Sequence, residues 1–562
     1  MALPWPPPSG LLTDLAVALR GRIRALPTNH PLLISARTAI LALSLTVGPA
    51  LLSLGSSKKR PKDLKAFLRG LSLILKRELG LTGFSFAITL AIGGGSALQL
   101  VWKHVDANLG FLTEGKDRSG IGKSVENIKS KMARIQPIHR DFVLNALSSL
   151  IAILLMQSRR RSTYIRKVHI PLTSPITPPS QKDGGRASPT LDLTLLFAVR
   201  AIDAFVQGVL LESKWDLETF TNTLDLFTFW ASSARLVCFI HDPGLLPPSY
   251  VKWISSLANI DVRLVTGLQA LRTGEFSYVK GTAPKPNPLA ELSKSLGYPY
   301  AWGDPRSVPA YGGPATTAQW RALGVTGRDG VGGIPCEIIH GSVAGSSCAT
   351  NIALRAFHAF LQAVAIYLPA NVHYLPTLLT NPRSLLDLSK TLRTLLGVLR
   401  SATFLSTFVS SIWTAVCVTR TTLIARLLPF ISHDFYDGPF GCILVGCLSC
   451  GLSISIEQGR RRGEIALYVL PKAIRACLPD GWLRSGSNVR GVHAVERLAF
   501  SLSLGALLTT AIHRPETLRG LSRWTLAFIM NGGGKQKRTD EAQARSDKPQ
   551  LIPSPNTTIP TE

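Results

Sequence analysis

The side chains best suited to chemistry sit in one short stretch of the second half of the chain, PCEIIHGSVAGSSC, where Cys336, His340 and Cys348 fall together. Thiolates and an imidazole are the ligands zinc prefers, and zinc takes four of them in a tetrahedron. The C-x3-H-x7-C spacing supplies three, and His358, a little further on, is a candidate fourth. The spacing is not that of a familiar zinc module, so the expectation is a packed, hydrogen-bonded loop with no metal and no cofactor. Cys447-x-x-Cys450 has the spacing of a redox pair. It lies among Gly441, Gly446, Ser449 and Gly451, which points instead to close helix packing. His433-Asp434 and His241-Asp242 invite an acid–base reading. Both stand where apolar runs end, beside turn residues, and are expected to cap and hydrogen-bond there. No Ser/His/Asp order, phosphate-cradling loop or nucleotide fingerprint is present. The chain is not expected to be an enzyme.

Two polar stripes complete the set. From Cys348 the polar side chains recur at Asn351, Arg355, His358 and Gln362, steps of three and four that share one helical face. Arg200, Asp203 and Gln207 repeat the same three-then-seven spacing in an earlier run, with Arg200 and Asp203 able to pair. The residues between are Ile, Leu, Ala, Phe and Val. A helix apolar all round but for one polar seam is a membrane or core helix whose seam faces protein or water.

The elements that would position these side chains are long apolar runs. Apolar residues make up 46% of the 562, and mean hydropathy is +0.21. The formal charge is nevertheless +28. Its basic runs, Lys58-Lys59-Arg60, Arg159-Arg160-Arg161 and Arg460-Arg461-Arg462, flank apolar segments as cations at an anionic membrane surface do. That placement argues against nucleic acid as a partner. Seven of the eight cysteines lie at or after Cys336, mostly in apolar runs, which is not an extracellular disulfide framework.

The pattern predicts an all-α, polytopic membrane protein. Residues 1–30 form an amphipathic or loop segment, 31–250 a first membrane half, and 251–335 a Gly/Pro-rich linker or lid. Residues 336–530 form the Cys/His loop and a second half, and 531–562 a disordered tail. Lys62–Leu79 reads as a basic amphipathic helix on the membrane surface, with Lys62, Lys65, Arg69 and Lys76 on one side. Gly93-Gly94-Gly95-Ser96 would let another backbone approach its span closely, and Phe142–Met156 is a short span. The order of events repeats in the two halves: apolar run, Pro, amphipathic segment, two spans, Arg triplet and a further helix. This predicts two related halves.

Three stretches carry a resemblance. They are Cys336-Glu337…His340…Cys348 running to Tyr367-Leu368-Pro369, Leu246-Pro247-Pro248-Ser249-Tyr250…Trp253-Ile254, and Arg461-Arg462-Gly463-Glu464-Ile465-Ala466-Leu467-Tyr468-Val469-Leu470-Pro471. Together they resemble the transmembrane protein 135 family, the last being also similar to small peroxisomal membrane proteins and, distantly, to channel subunits of the mitochondrial inner-membrane translocases. Asn351 departs from the family pattern, standing where a second His is expected. The resemblance implies an integral protein of peroxisomal or mitochondrial membranes, linked to organelle dynamics and lipid handling. The expected partners are membrane lipids and organelle-division or trafficking proteins. The function expected is a conduit or lipid-handling site on a polar face shared by the two seams; the alternative is a non-transporting membrane organiser.

Overall fold

The computed structural model of this protein describes residues 26–56, 64–114, 135–158, 188, 190–213, 216–239, 248–371, 388–479, 482 and 489–532. Residues 1–25 of the expected segment 1–30, residues 533–562 of the expected tail 531–562, His241-Asp242 and Lys62 lie outside these residues.

The described residues are helical, with a single isolated antiparallel bridge, Ser277 to Thr282, and no strand. In chain order the helices begin with α1 (Pro31–Ser56), α2 (Leu64–Leu79), α3 (Phe84–Glu114), α4 (Pro137–Gln157), α5 (Leu191–Glu212) and α6 (Leu217–Phe239). Shorter ones follow: α7 (Pro248–Leu257), α8 (Val262–Thr273), α9 (Pro288–Ser295), α10 (Pro314–Ala322) and α11 (Cys336–His340). The last set is α12 (Cys348–Asn371), α13 (Leu388–Cys417), α14 (Ile424–Leu427), α15 (His433–Tyr436), α16 (Leu444–Cys450), α17 (Gly459–Cys477), α18 (Val489–His513) and α19 (Gly520–Asn531).

Among the described residues, eight segments are long and apolar enough to cross a bilayer. They leave large apolar side chains outward: Phe205 is 73% exposed, Ile40 64% and Phe357 61%. In water such surfaces would be a liability; in acyl chains they are solvated. The chain is a multi-pass, all-α membrane protein. Helix α4 is longer than the run Phe142–Met156: its 21 residues span ~31 Å at the usual helical rise, enough for a hydrocarbon core.

The compact units do not follow the expected division at 250 and 335. One unit takes residues 1–161, 200–209 and 494–562, and the other takes 162–199 and 210–493. In the first unit α1 meets α19, a long-range pairing that the order of hydropathic segments does not encode.

In the first unit, α3 packs on α1, α2 and α4. The glycine run makes this possible. A Cβ at Gly93 would collide with Ser35 of α1, one at Gly94 with the Ser148 hydroxyl and one at Gly95 with the Asn145 amide of α4. The Ser148 hydroxyl donates to the Leu90 carbonyl at 2.8 Å, so the close approach is also hydrogen-bonded. Arg37 of α1 donates to the Ile529 and Met530 carbonyls at 3.1 and 3.2 Å, placing a cation on the last turn of α19.

In the second unit, residues 258–345 are an ordered cap rather than a linker. Local chemistry sets its elements. Asp261 caps α8, and Asn287 caps α9 by accepting from the Leu289 and Ala290 amides at 3.1 and 3.4 Å. Proline opens α9 and α10, where its missing N–H is no loss. The cap's buried Phe276, Leu292, Trp320, Ile334 and Ile338 belong to one core with Phe404, Val409 and Trp413 of α13 and Phe229 of α6. Sharing a core with the spans is what keeps it from behaving as a tether. The long Gly/Pro-rich composition reflects its tight turns: Gly333, at φ +71°, packs its bare Cα against the His433 ring.

Candidate functional site

The most heavily built polar centre lies in the second unit, where α13 breaks. Past Cys417 the helix widens into a π-turn at Val418–Thr422, which turns the charged Arg420 inward among apolar neighbours. Arg420 donates from Nε and Nη2 to the two oxygens of Asp437, at 2.6 and 2.9 Å, and from Nη2 to the Ile334 carbonyl at 3.1 Å. The Tyr278 hydroxyl donates to Asp437 Oδ2 at 2.7 Å. Next to it, Asp434 accepts from the Ser277 hydroxyl at 2.6 Å and the Tyr278 amide at 2.7 Å. The backbone N–H of His433 donates to the Ala310 carbonyl at 2.8 Å. The turn 433–437 is thereby welded into the cap. This departs from the capping role expected for His433-Asp434: both residues make tertiary contacts far along the chain. Two candidate spans, Cys348–Leu368 and Leu392–Leu427, separate cap and turn. Two crossings return the chain to the side it left, so the weld is consistent with membrane parity.

Burial sets the ionisation of this centre. Burial alone would raise the Asp437 carboxyl, but the Arg420 guanidinium outweighs it and holds the group at about 2. Burial pushes His433 down to about 3, with Arg420 and Arg328 adding to the effect and Asp437 opposing it. Tyr278 is raised well above its ordinary value, first by burial and then by the Asp437 charge.

Cys336, His340 and Cys348 do converge: one donor atom from each lies within 4.8 Å of the others. The sequence reading missed the fourth member, Cys417 of α13. Its Sγ lies 3.7 Å from His340 Nε2, and its thiol is in hydrogen-bonding contact with Cys348. His340 Nδ1 faces the Gly345 carbonyl at 2.7 Å, which leaves Nε2 as the inward donor atom. The hydrogen bond that Cys336 donates to Cys348, then burial, push the Cys336 thiol up to about 12, and burial lowers His340. His358, proposed from sequence as the fourth ligand, is exposed and pairs with Gln362 at 2.8 Å.

The α12 seam is therefore split, against the expectation of one shared polar face. Asn351 and Arg355 are buried, while His358 is exposed and Gln362 half-buried. The buried ridge is Asn351, Arg355, Ala359 and Ala363, a run of steps of four. Packing on α13 follows that ridge and leaves His358 and Gln362 on its flank. Arg355 donates to Asn351 Oδ1 at 2.7 Å and to the carbonyls of Ala258, Asn259 and His340 at 2.7, 2.5 and 2.9 Å, with its guanidinium 3.8 Å from the Trp413 ring centroid.

The other seam belongs to the first unit. Asp203 pairs with Arg519, a partner the sequence did not single out. Gln207 is buried, and its Nε2 has no hydrogen-bond partner among the described residues. Arg69 and Lys76 are exposed on α2. The first unit also holds a cavity of about 480 Å³ between α1, α3, α4, α18 and α19. Its walls include Ile34, Leu100, Ile512, Leu526 and Met530, with Gln99, Lys103, Arg140, Asp141 and Arg523 among them. Asp141 is already held by Arg140 at 3.0 Å and by His513 at 3.0 Å. Cys447 and Cys450 are buried in α16, where Gly446 abuts Ile412 and Gly451 abuts Trp230.

No known protein family, curated protein or solved structure matches the chain.

Proposed function

We propose that the chain is an integral protein of peroxisomal or mitochondrial membranes that binds an anionic lipid or fatty-acyl amphiphile in the cavity of its first unit, as part of lipid handling. One observation carries the reading: the cavity joins apolar walls to the cations Lys103, Arg140 and Arg523, with Asp141 as the acid among its lining residues. The start of α1, the later turns of α3, the start of α4 and the end of α18 gather around it, so it lies at one end of that bundle. That is the depth at which a lipid has its headgroup and first methylenes. Gln99 Nε2 and Arg523 Nε are buried donor atoms without acceptors among the described residues, and both residues line the cavity. A phosphate or carboxylate would satisfy them. A volume of about 480 Å³ is in the range of ligand sites and takes a headgroup with part of a chain. The resemblance of the Cys/His stretch to the transmembrane protein 135 family supports the organelle and the lipid.

The test is native mass spectrometry of purified protein against anionic and zwitterionic lipids, with Lys103→Gln/Arg523→Gln beside wild type. Anionic lipid should bind about one per chain and be lost at least tenfold in the double variant. Equal binding of both lipid classes, unchanged by the substitutions, would remove the reading.

A second reading, a membrane organiser, rests on α2. Its Arg69 and Lys76 are exposed together with Leu68, Leu73 and Leu79, a basic and apolar surface able to recruit a lipid face or a division or trafficking partner. Charge reversal at Lys65, Arg69 and Lys76 should then disturb association and leave lipid occupancy of the cavity unchanged.

A further inference from the structure

Four metal-ligating side chains from three separate segments meet beneath the cap. We propose that Cys336, His340, Cys348 and Cys417 form a closed tetrahedral site for one zinc ion.

The geometry comes first. In a tetrahedron with Zn–S near 2.3 Å and Zn–N near 2.0 Å, a sulfur and a nitrogen stand about 3.5 Å apart and two sulfurs about 3.8 Å. Cys417 Sγ and His340 Nε2 are 3.7 Å apart, and the donor atoms of Cys336, His340 and Cys348 are mutually within 4.8 Å. The cluster is therefore already close to the size of a coordination sphere. His340 is oriented as a ligand: its Nδ1 is engaged by the Gly345 carbonyl, which fixes the ring and directs Nε2 to the sulfurs. Four protein donors leave no open coordination position, so the site is structural and not catalytic. Three thiolates and one imidazole favour zinc over the harder divalent ions.

Charge supplies an independent argument. Arg328, Arg355 and Arg420 are all buried around this cluster, and Asp437, paired to Arg420, is the buried carboxylate with them. Arg328 donates to Cys336 Sγ at 3.3 Å and to the Gly332 carbonyl, with its Nε unpartnered among the described residues. Arg355 is surrounded by carbonyls, an amide and a ring. Neither has a carboxylate partner among the described residues. Buried cations need an anion nearby. Four neutral side chains leave two of them uncompensated. Three thiolates around Zn²⁺ carry a net single negative charge and sit against both.

The site would also explain placement. Cys336 and His340 are on α11, at the end of the cap; Cys348 opens α12; Cys417 ends α13. One ion ties the cap to both spans that follow it.

The full-length protein, purified in detergent under reducing conditions, should contain about one zinc per chain by elemental mass spectrometry. Exchange to Co²⁺ should give the thiolate-to-cobalt charge-transfer bands of a three-sulfur tetrahedral site. Cys417→Ser should lose the stoichiometric metal, and Cys477→Ser, at an exposed cysteine elsewhere, should keep it. If Cys417→Ser does not fold, the wild-type cobalt spectrum still counts the sulfurs. Three outcomes overturn the proposal: wild type that takes up neither zinc nor cobalt, metal retained fully in Cys417→Ser, or a disulfide among Cys336, Cys348 and Cys417 in protein whose thiols were trapped at lysis.

Discussion

Replacing Asp437 by Leu tests the weld between turn and cap. The carboxylate accepts three hydrogen bonds, two from Arg420 at 2.6 and 2.9 Å and one from the Tyr278 hydroxyl at 2.7 Å. Side-chain exposure in the ion pair is 2% for Arg420 and 7% for Asp437, so water cannot replace what is removed. Arg420 would keep the Ile334 carbonyl at 3.1 Å and otherwise be a bare buried cation. Breaking one side of such a pair costs about 3–5 kcal/mol. For a unit of this size that corresponds to a fall of about 4–7 °C in melting temperature. The companion experiment is the pair Arg420→Met/Asp437→Leu, which removes both charges together. It should regain most of the loss, because the single variant suffers chiefly from the orphaned charge. The assays are thermal unfolding at one fixed scan rate and limited proteolysis across residues 276–336. The reasoning fails if the double variant is as unstable as the summed single losses, or if Asp437→Leu melts within about 1 °C of wild type, since a buried pair cannot behave as a surface one.

Two further predictions concern pH and packing. Burial holds His433 at about 3 against an ordinary 6.5, so the unfolded chain binds its proton first as pH falls. Stability of the second unit should therefore decline between pH ~6.5 and ~3, by about 1.4 kcal/mol per unit, and His433→Asn should flatten that slope. Asp437, held at about 2, adds a separate loss confined to pH below ~4. An unchanged slope in His433→Asn, read by denaturation at pH 7, 6 and 5, would assign the decline to other groups. In the first unit, Gly95→Val should destabilise by at least ~3 kcal/mol, because the added carbons meet the Asn145 side chain and backbone; Gly491→Ala, at the edge of the second unit, where a Cβ meets nothing within 4 Å, should be nearly silent. Thermal stability of the two variants in detergent decides it.

Much of the fold was legible because lipid imposes a compositional rule. Runs such as Leu191–Glu212 can only be helices when no water is available to their amides. The glycines of α3 were legible for a related reason: three in succession inside an apolar run have little use except close approach. The site was legible only in part. Cys336, His340 and Cys348 are close in sequence and announce themselves. Cys417 sits in an apolar run, where one cysteine looks like any small hydrophobe, 77 residues from His340. Arg420 and Asp437 are 17 residues apart across a break in the helix, outside any local periodicity. The α12 seam misled for a geometric reason. A helical wheel puts Arg355 and His358 on one broad face, but packing along a four-step ridge separates them within a single turn.

The weld at 433–437 also fixes an order of manufacture. Ser277 leaves the ribosome 157 residues before Asp434, its acceptor. At ordinary translation speeds that interval lasts roughly 10–30 s. Throughout it, the half-made cap holds Phe276 and Tyr278 without their finishing partner, and two hydrophobic helices must be threaded through the bilayer before it arrives. A chain truncated anywhere between residues 345 and 433 therefore carries the cap without the two carboxylates that latch it, its apolar lobe left open to whatever surface is near.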